Sequence, residues 1–172
     1  MKVILVLLMA ALLCGCGAEP AWENVEDVIP VEPVAPVQQL YVHMPVEAAT
    51  PTFADDSKGE LYLCNGYTLT KQILPSGDME KTVKTVSGLD KSQLQIMQTT
   101  QADADRYDFV WTSATEEGLQ LGRACILDDG DYHYVVSTMA GEERAGELRD
   151  TWQEIFESCS LFPADFSFNT GS

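Results

Sequence analysis

Carboxylates, two histidines and five cysteines are the side chains of this 172-residue chain that could carry chemistry. Asp103, Asp105 and Asp108 have the first two spacings of a calcium-binding loop. However, Asp108 stands where such a loop has glycine, and Ala114 stands where it has glutamate. The pattern therefore predicts a polar turn, and a calcium-stabilised domain is kept as an alternative.

A second acidic group contains a glycine. The segment Asp128-Asp129-Gly130-Asp131 is typical of a tight turn between two strands, because glycine adopts positive φ freely and aspartate favours turns. We predict a turn here, with no metal ion and no cofactor. The cation candidates that we retain are Asp128, Asp129 and Asp131.

Catalysis has little support in the sequence. The mature chain contains no G-x-S-x-G, no S-x-x-K and no glycine-rich phosphate loop. His43 lies on a predicted strand, and His133 faces away from the tyrosines on either side of it, which predicts a surface or hydrogen-bonded histidine. We predict no catalytic residue. The alternative is a surface hydrolase, in which two of Asp103, Asp108 and Asp128 would converge in one pocket.

Three cysteines follow Cys16, with no C-x-x-C spacing: Cys64, Cys125 and Cys159. Cys125 falls on a predicted strand and Cys159 on the apolar face of a predicted helix, so both are expected to be small core residues. A disulfide between these two is the alternative, which an exported protein would permit.

An apolar segment without interruption, Val3–Leu13, follows Met1 and Lys2. It is too short to span a bilayer, which needs about 20 apolar residues, but it has the length of the apolar part of a signal peptide. Small residues follow it. We predict a signal peptide over residues 1–15, with cleavage between Gly15 and Cys16.

The segment Leu13-Cys14-Gly15-Cys16 resembles the lipobox of bacterial lipoproteins. The resemblance implies that Cys16 carries a diacylglyceryl thioether and becomes the first residue of the mature protein. Two acyl chains, palmitate being a typical one, anchor a protein stably, whereas one chain does so only marginally. The implied location is the cell membrane, on its extracytoplasmic side.

Residues 16–37 are acidic and contain Pro20, Pro30, Pro33 and Pro36. Proline favours extended backbone, so this segment is predicted to be a stiff tether that could hold the domain roughly 60 Å from the anchor. Within residues 22–29, apolar side chains recur at helical spacing. The alternative is that this short stretch docks on the domain.

The formal net charge is −17, and removal of residues 1–15 with Lys2 makes it −18. Lys and Arg form no cluster, which excludes the basic footprint of a nucleic-acid-binding protein. The charge also disfavours direct docking on anionic lipids. It favours a cationic protein or small-molecule partner, or serves solubility alone.

The elements expected to position these residues are strands with short connections, and two helices. Asn65-Gly66 predicts a hairpin. A helix is expected from Ser76 to Gly88, and the last helix is expected over Glu142–Cys159. Tyr107, Phe109 and Trp111 alternate on a predicted strand, either as a sugar-binding face or as core beneath the last helix; core is favoured because Trp152 of that helix needs a sheet to pack on.

Residues 38–162 are therefore predicted to form an α+β domain, a mostly antiparallel sheet with two amphipathic helices packed on it, followed by a flexible tail over 163–172. The closing strands and the terminal helix with Trp152, Ile155, Phe156 and Ser158 resemble the PsbP-like α/β sandwich. That resemblance implies a binding or assembly module, not an enzyme, and assigns no functional residue. The hypothesis is a lipid-anchored, extracytoplasmic, non-enzymatic binding or assembly protein.

Overall fold

The computed structural model describes residues 38–55, 59–116 and 118–165. The predicted signal peptide, the tether with its segment 22–29, and the sites at Gly15 and Cys16 lie outside this range. The described elements are β1 (Gln38–Tyr41), β2 (Phe53–Asp55), β3 (Gly59–Cys64), β4 (Tyr67–Pro75), α1 (Met79–Ser87), β5 (Ile96–Gln101), β6 (Ala104–Thr115), β7 (Gly118–Asp128), β8 (Tyr132–Gly141), α2 (Glu142–Glu147), α3 (Arg149–Ser158) and β9 (Ser160–Pro163).

Seven strands form one antiparallel sheet in the order β2-β3-β4-β8-β7-β6-β5, and β1 pairs with β9 in a second, two-stranded sheet. Neighbouring strands in the large sheet are mostly hairpin partners. The exception is the pairing of β4 with β8, along nine residue pairs from Tyr67 and Ala140 to Pro75 and Tyr132. The predicted α+β class with a mostly antiparallel sheet is confirmed.

Side chains alternate across the sheet, and each face is covered by a different helix. We call them the α3 face and the α1 face. On the α3 face, Cys125, Leu127 and Val136 are buried against Trp152 and Phe156. On the α1 face, the core consists of Val83 from the helix and Phe109, Trp111, Ala124, Ile126 and Val135 from the strands.

The aromatic residues of β6 lie on the α1 face. Phe109 and Trp111 are buried core residues, as expected, but the helix that covers them is α1. The expectation that the last helix covers them is wrong. Two apolar helices were available to cover two apolar faces, and helical periodicity does not say which helix takes which face.

The local signals for α1 act as predicted. Asp78 caps the first turn by accepting a hydrogen bond from the backbone N–H of Glu80 at 2.9 Å. Gly88 ends the helix with φ of 76°, a left-handed conformation that glycine adopts without a Cβ penalty.

The last predicted helix is divided in two. Its axis is interrupted at Leu148, which has φ of −87° and ψ of 2° between α2 and α3. Gly146, a weak helix former, precedes the break. Two strands were not predicted at all. They are β2, which pairs with β3, and β9, which reaches Pro163 and pairs with β1.

Candidate functional site

The acidic turn between β7 and β8 uses its carboxylates internally. Asp129 accepts hydrogen bonds from the backbone N–H groups of Asp131 at 3.0 Å and Tyr132 at 2.8 Å, and from the Tyr134 hydroxyl at 3.0 Å. Asp128 accepts one from the N–H of Gly130 at 2.9 Å. These contacts support the interpretation as a turn. Within the described residues, no three His, Cys, Asp or Glu side chains are placed to hold a metal ion.

His133 lies beneath α1 and is fully buried. Strand alternation does turn it away from its two tyrosines, but α1 covers that face. The prediction that His133 lies at the surface is therefore wrong. Its Nδ1 is 2.8 Å from the Thr82 hydroxyl of α1, and its Nε2 is 3.5 Å from Asp128, longer than a good hydrogen bond. Threonine, histidine and aspartate in this order are reminiscent of a catalytic relay. Both Thr82 and His133 are buried, so their hydrogen bond connects α1 to the sheet and is not exposed to a substrate.

The three carboxylates of the hydrolase hypothesis have different settings. Asp108 forms a two-point ion pair with Arg106 on the α3 face, at 2.6 and 2.9 Å. Asp128 contacts His133 on the opposite face, and Asp103 is an exposed residue of the turn before β6. The calcium-loop spacing fails for a related reason, because Asp105 and Asp108 are three residues apart on one strand and project from opposite faces.

Arg106 is the functional-looking residue that the sequence did not single out. Besides Asp108, its guanidinium donates to the Gln101 side chain at 2.9 Å and to the backbone carbonyl oxygens of Phe156 at 2.8 Å and Cys159 at 3.4 Å. A cation at the last carbonyls of a helix is favourable. The signal in the sequence is the pair Arg106 and Asp108 at strand spacing, one of few cations in an acidic chain.

Cys125 and Cys159 are both buried free thiols in one apolar cluster on the α3 face, as expected for small core residues. The neighbouring thiol of Cys159, and then burial, raise the pKa of Cys125 far above that of an ordinary cysteine. Cys64, at the end of β3, is half-buried, and burial raises the pKa of its thiol as well.

A groove of about 200 Å³ lies beside α1 on the α1 face. The groove is lined on this face by uncharged side chains, most of which can form hydrogen bonds. They are Thr68, Thr70, Gln72, Thr85, Val86, Trp111, Ser137 and Met139. In an acidic protein, a groove without a carboxylate is chemically distinct from the surrounding surface.

Trp111, which lines this groove, carries an unsatisfied donor. The residue is 4% exposed, and its indole N–H has no hydrogen-bond partner among the described residues. A buried donor without a partner costs about 1–3 kcal/mol, so an acceptor supplied from the groove would be favourable. Met139, whose backbone pairs with Gly122 next to Trp111, adds a flexible apolar side chain to the lining. The groove therefore suits a neutral, hydroxyl-bearing ligand.

No protein-family model matches the chain, and no curated protein sequence matches it. Among solved structures, the chain is similar to LpqN of Mycobacterium tuberculosis, which is involved in cell envelope biogenesis, with a TM-score of 0.50 and 12% identity over 73% of this chain and 84% of LpqN. Cyanobacterial PsbP of Synechocystis sp. PCC 6803 matches with a TM-score of 0.48 and 11% identity, over 73% of this chain and 93% of its own. At such identities the likeness to LpqN shows a shared fold alone.

None of the helices in the described part of the chain is long and apolar enough to cross a membrane.

Proposed function

We propose that this protein is a lipid-anchored extracytoplasmic lipoprotein whose α+β domain is a non-enzymatic binding or assembly module. The observation that carries the anchor is the segment Leu13-Cys14-Gly15-Cys16 at the end of an apolar run. Cleavage would follow Gly15, and the lipid would be attached to the thiol of Cys16. LpqN, which has a similar fold, is involved in cell envelope biogenesis. The proposal likewise places this chain in the cell envelope.

The anchor and the charge would act together. Two acyl chains on Cys16 would hold the membrane, while residues 16–37, rich in proline, extend away from it. A domain this acidic is repelled by anionic headgroups, and the same field attracts cationic partners. The proposed partners are therefore the membrane, through the lipid, and a protein or small molecule at the domain, with nucleic acid excluded by charge.

The anchor is tested by labelling cells with a palmitate analogue. The wild-type chain is expected to carry the label and to sediment with membranes, and Cys16→Ala to lose both properties. Cys14→Ala is the matched control, because Cys14 lies two residues away and is expected to remain unmodified. Retention of the label and of membrane association by Cys16→Ala would contradict the proposal.

The binding role is tested at the groove beside α1. The chain has three tryptophans, so three indole N–H signals are expected in a ¹H–¹⁵N spectrum. Titration with neutral oligosaccharides, the probes that fit the groove's chemistry, is expected to shift the Trp111 signal saturably. Thr70→Val should weaken binding roughly fivefold through one lost hydrogen bond.

Thr112→Val is the control for this titration, because Thr112 is exposed on the same strand as Trp111 but lies on the α3 face. It is expected to leave the affinity unchanged. A Trp111 signal that does not move with any neutral oligosaccharide at millimolar concentration would remove the groove from the proposal, whatever the result for the anchor.

A further inference from the structure

We propose that Cys125 and Cys159 are joined by a disulfide in the exported protein, which fastens the end of α3 covalently to the centre of the sheet. This cross-link goes beyond the binding role, and it rests on the proposed export, because disulfides persist outside the reducing cytoplasm.

The positions of the two residues carry the inference. Cys125 lies on β7, between β8 and β6 in the middle of the seven-stranded sheet, and its side chain is on the α3 face. Cys159 directly follows α3, and its thiol donates to the carbonyl oxygen of Ile155 at 3.3 Å. Both residues are essentially inaccessible to solvent, at 1% and 0% exposure. A disulfide needs two cysteines whose side chains meet, and both thiols lie in the same buried cluster between the sheet and α3.

Arg106 holds the two sides of the cross-link in place. Asp108, its ion-pair partner on β6, is the direct cross-strand neighbour of Cys125. The same guanidinium binds the carbonyl oxygens of Phe156 and Cys159. The end of α3 is therefore tied to the strand beside Cys125 by contacts that do not involve sulfur, and these contacts keep Cys159 next to the strand that carries Cys125's neighbour Asp108.

The chemistry balances as an ordinary thiol–disulfide exchange. The two thiols lose two protons and two electrons as the S–S bond forms, and the electrons reduce the disulfide of an oxidant, either a thiol–disulfide oxidoreductase or oxidised glutathione, to two thiols. Contact with Cys159 and burial keep the Cys125 thiol protonated, and the thiolate is the attacking species. Oxidation is therefore expected during folding, before the core closes.

Cys64 supplies the internal control. It is the third described cysteine, at the end of β3 in the first hairpin, and it is half-buried. Its thiol interacts with the side chain of Tyr67, so the proposal leaves it as a thiol.

The test is to quench cells with acid, alkylate the full chain under denaturing conditions with and without a reductant, and map the modified peptides by mass spectrometry. Cleavage after Arg123 and Arg149 places Cys125 and Cys159 on separate peptides. We expect both to be protected until reductant is added, with Cys64 alkylated in either case. Reduction is expected to lower Tm by roughly 5–15 °C in the wild type and to leave Tm of Cys125→Ser unchanged.

Alkylation of Cys125 and Cys159 without reductant, in protein that carries the palmitate label, would overturn the proposal. Protein that lacks the label is denatured with reductant and refolded in a buffer of reduced and oxidised glutathione. A disulfide in that sample supports the cross-link and locates the failure in the proposed export, whereas two alkylated thiols overturn the cross-link itself.

Discussion

Arg106 donates a hydrogen bond across 2.8 Å to the carbonyl oxygen of Phe156, fifty residues later in the chain. Through this bond and its ion pair with Asp108, a strand and the end of α3 share one largely buried cation. Arg123 contacts the same residue by a cation–π interaction, with its guanidinium 4.5 Å from the centre of the Phe156 ring. The terminal helix is thus held by two arginines in a chain that has ten basic residues against 27 acidic ones.

Arg106→Met is expected to destabilise the domain by about 3–5 kcal/mol, because it leaves the carboxylate of Asp108 buried without its partner. Arg106→Lys should also be costly, since an ammonium group cannot reproduce the two-point ion pair and reach both carbonyl groups. The measurement is urea unfolding followed by tryptophan fluorescence. The control is Arg149→Met, which removes an arginine whose side chain is 81% exposed and should change stability little. Equal effects of the two substitutions would contradict the role assigned to Arg106.

The sequence predicted what local chemistry decides. Asn65-Gly66 produces the hairpin of β3 and β4, and Asp78 with Gly88 bounds α1. The sequence did not predict contacts between residues that lie far apart in the chain. Nothing near Phe109 says that α1 covers it, and nothing near Ser160 says that it will pair with Tyr41 to complete the second sheet.

The candidate site divides in the same way. The acidic turn before β8 was predicted from its own residues, and its hydrogen bonds agree with that interpretation. The surroundings of His133, the contacts of Arg106 and the groove beside α1 depend on strand order and on the placement of a helix. These are properties of the assembled sheet, which residue spacing does not encode.

Thr82→Val is expected to destabilise the domain by about 1–3 kcal/mol. Valine keeps the volume but removes the hydroxyl that lies 2.8 Å from Nδ1 of the fully buried His133, and a buried polar atom without a partner is costly. Chemical denaturation measures the change. Thr85→Val is the matched control on the same helix, because its exposed hydroxyl bonds only to the carbonyl oxygen of Lys81 in the preceding turn. If Thr85→Val costs as much as Thr82→Val, the contact with His133 is not what stabilises the helix.

Raising the pH above about 10 is expected to destabilise the domain. Burial, and then the hydrogen bond to Glu60, raise the pKa of Tyr62 to about 12. Burial also raises the pKa of Tyr67 and of Tyr134. A tyrosine whose folded pKa exceeds its unfolded value of about 10 stabilises the fold below that pH and loses this contribution as the pH rises through the folded pKa.

Thermal melts between pH 8 and pH 12 measure this alkaline loss of stability. A constant Tm across that range would contradict the prediction. Tyr62→Phe is expected to make the decline less steep, because it removes one of the groups that ionise. Tyr41→Phe is the control, since Tyr41 lies at the surface in β1.

Gly122→Ala is expected to destabilise the domain by about 1–3 kcal/mol and to disturb the groove beside α1. Gly122 lies directly across from Trp111, and a Cβ built on it would be 2.3 Å from two carbon atoms of the indole ring. The ring would have to move within a packed core, which is the cost of overpacking. Gly146→Ala is the control, because a Cβ there meets nothing within 4 Å and alanine favours α2, so stability should rise by about 0.5–1 kcal/mol. The two changes are compared by urea unfolding and by the position of the Trp111 indole signal. A Gly122→Ala protein as stable as the wild type, with that signal unmoved, would show that the close approach of strand and ring is not required.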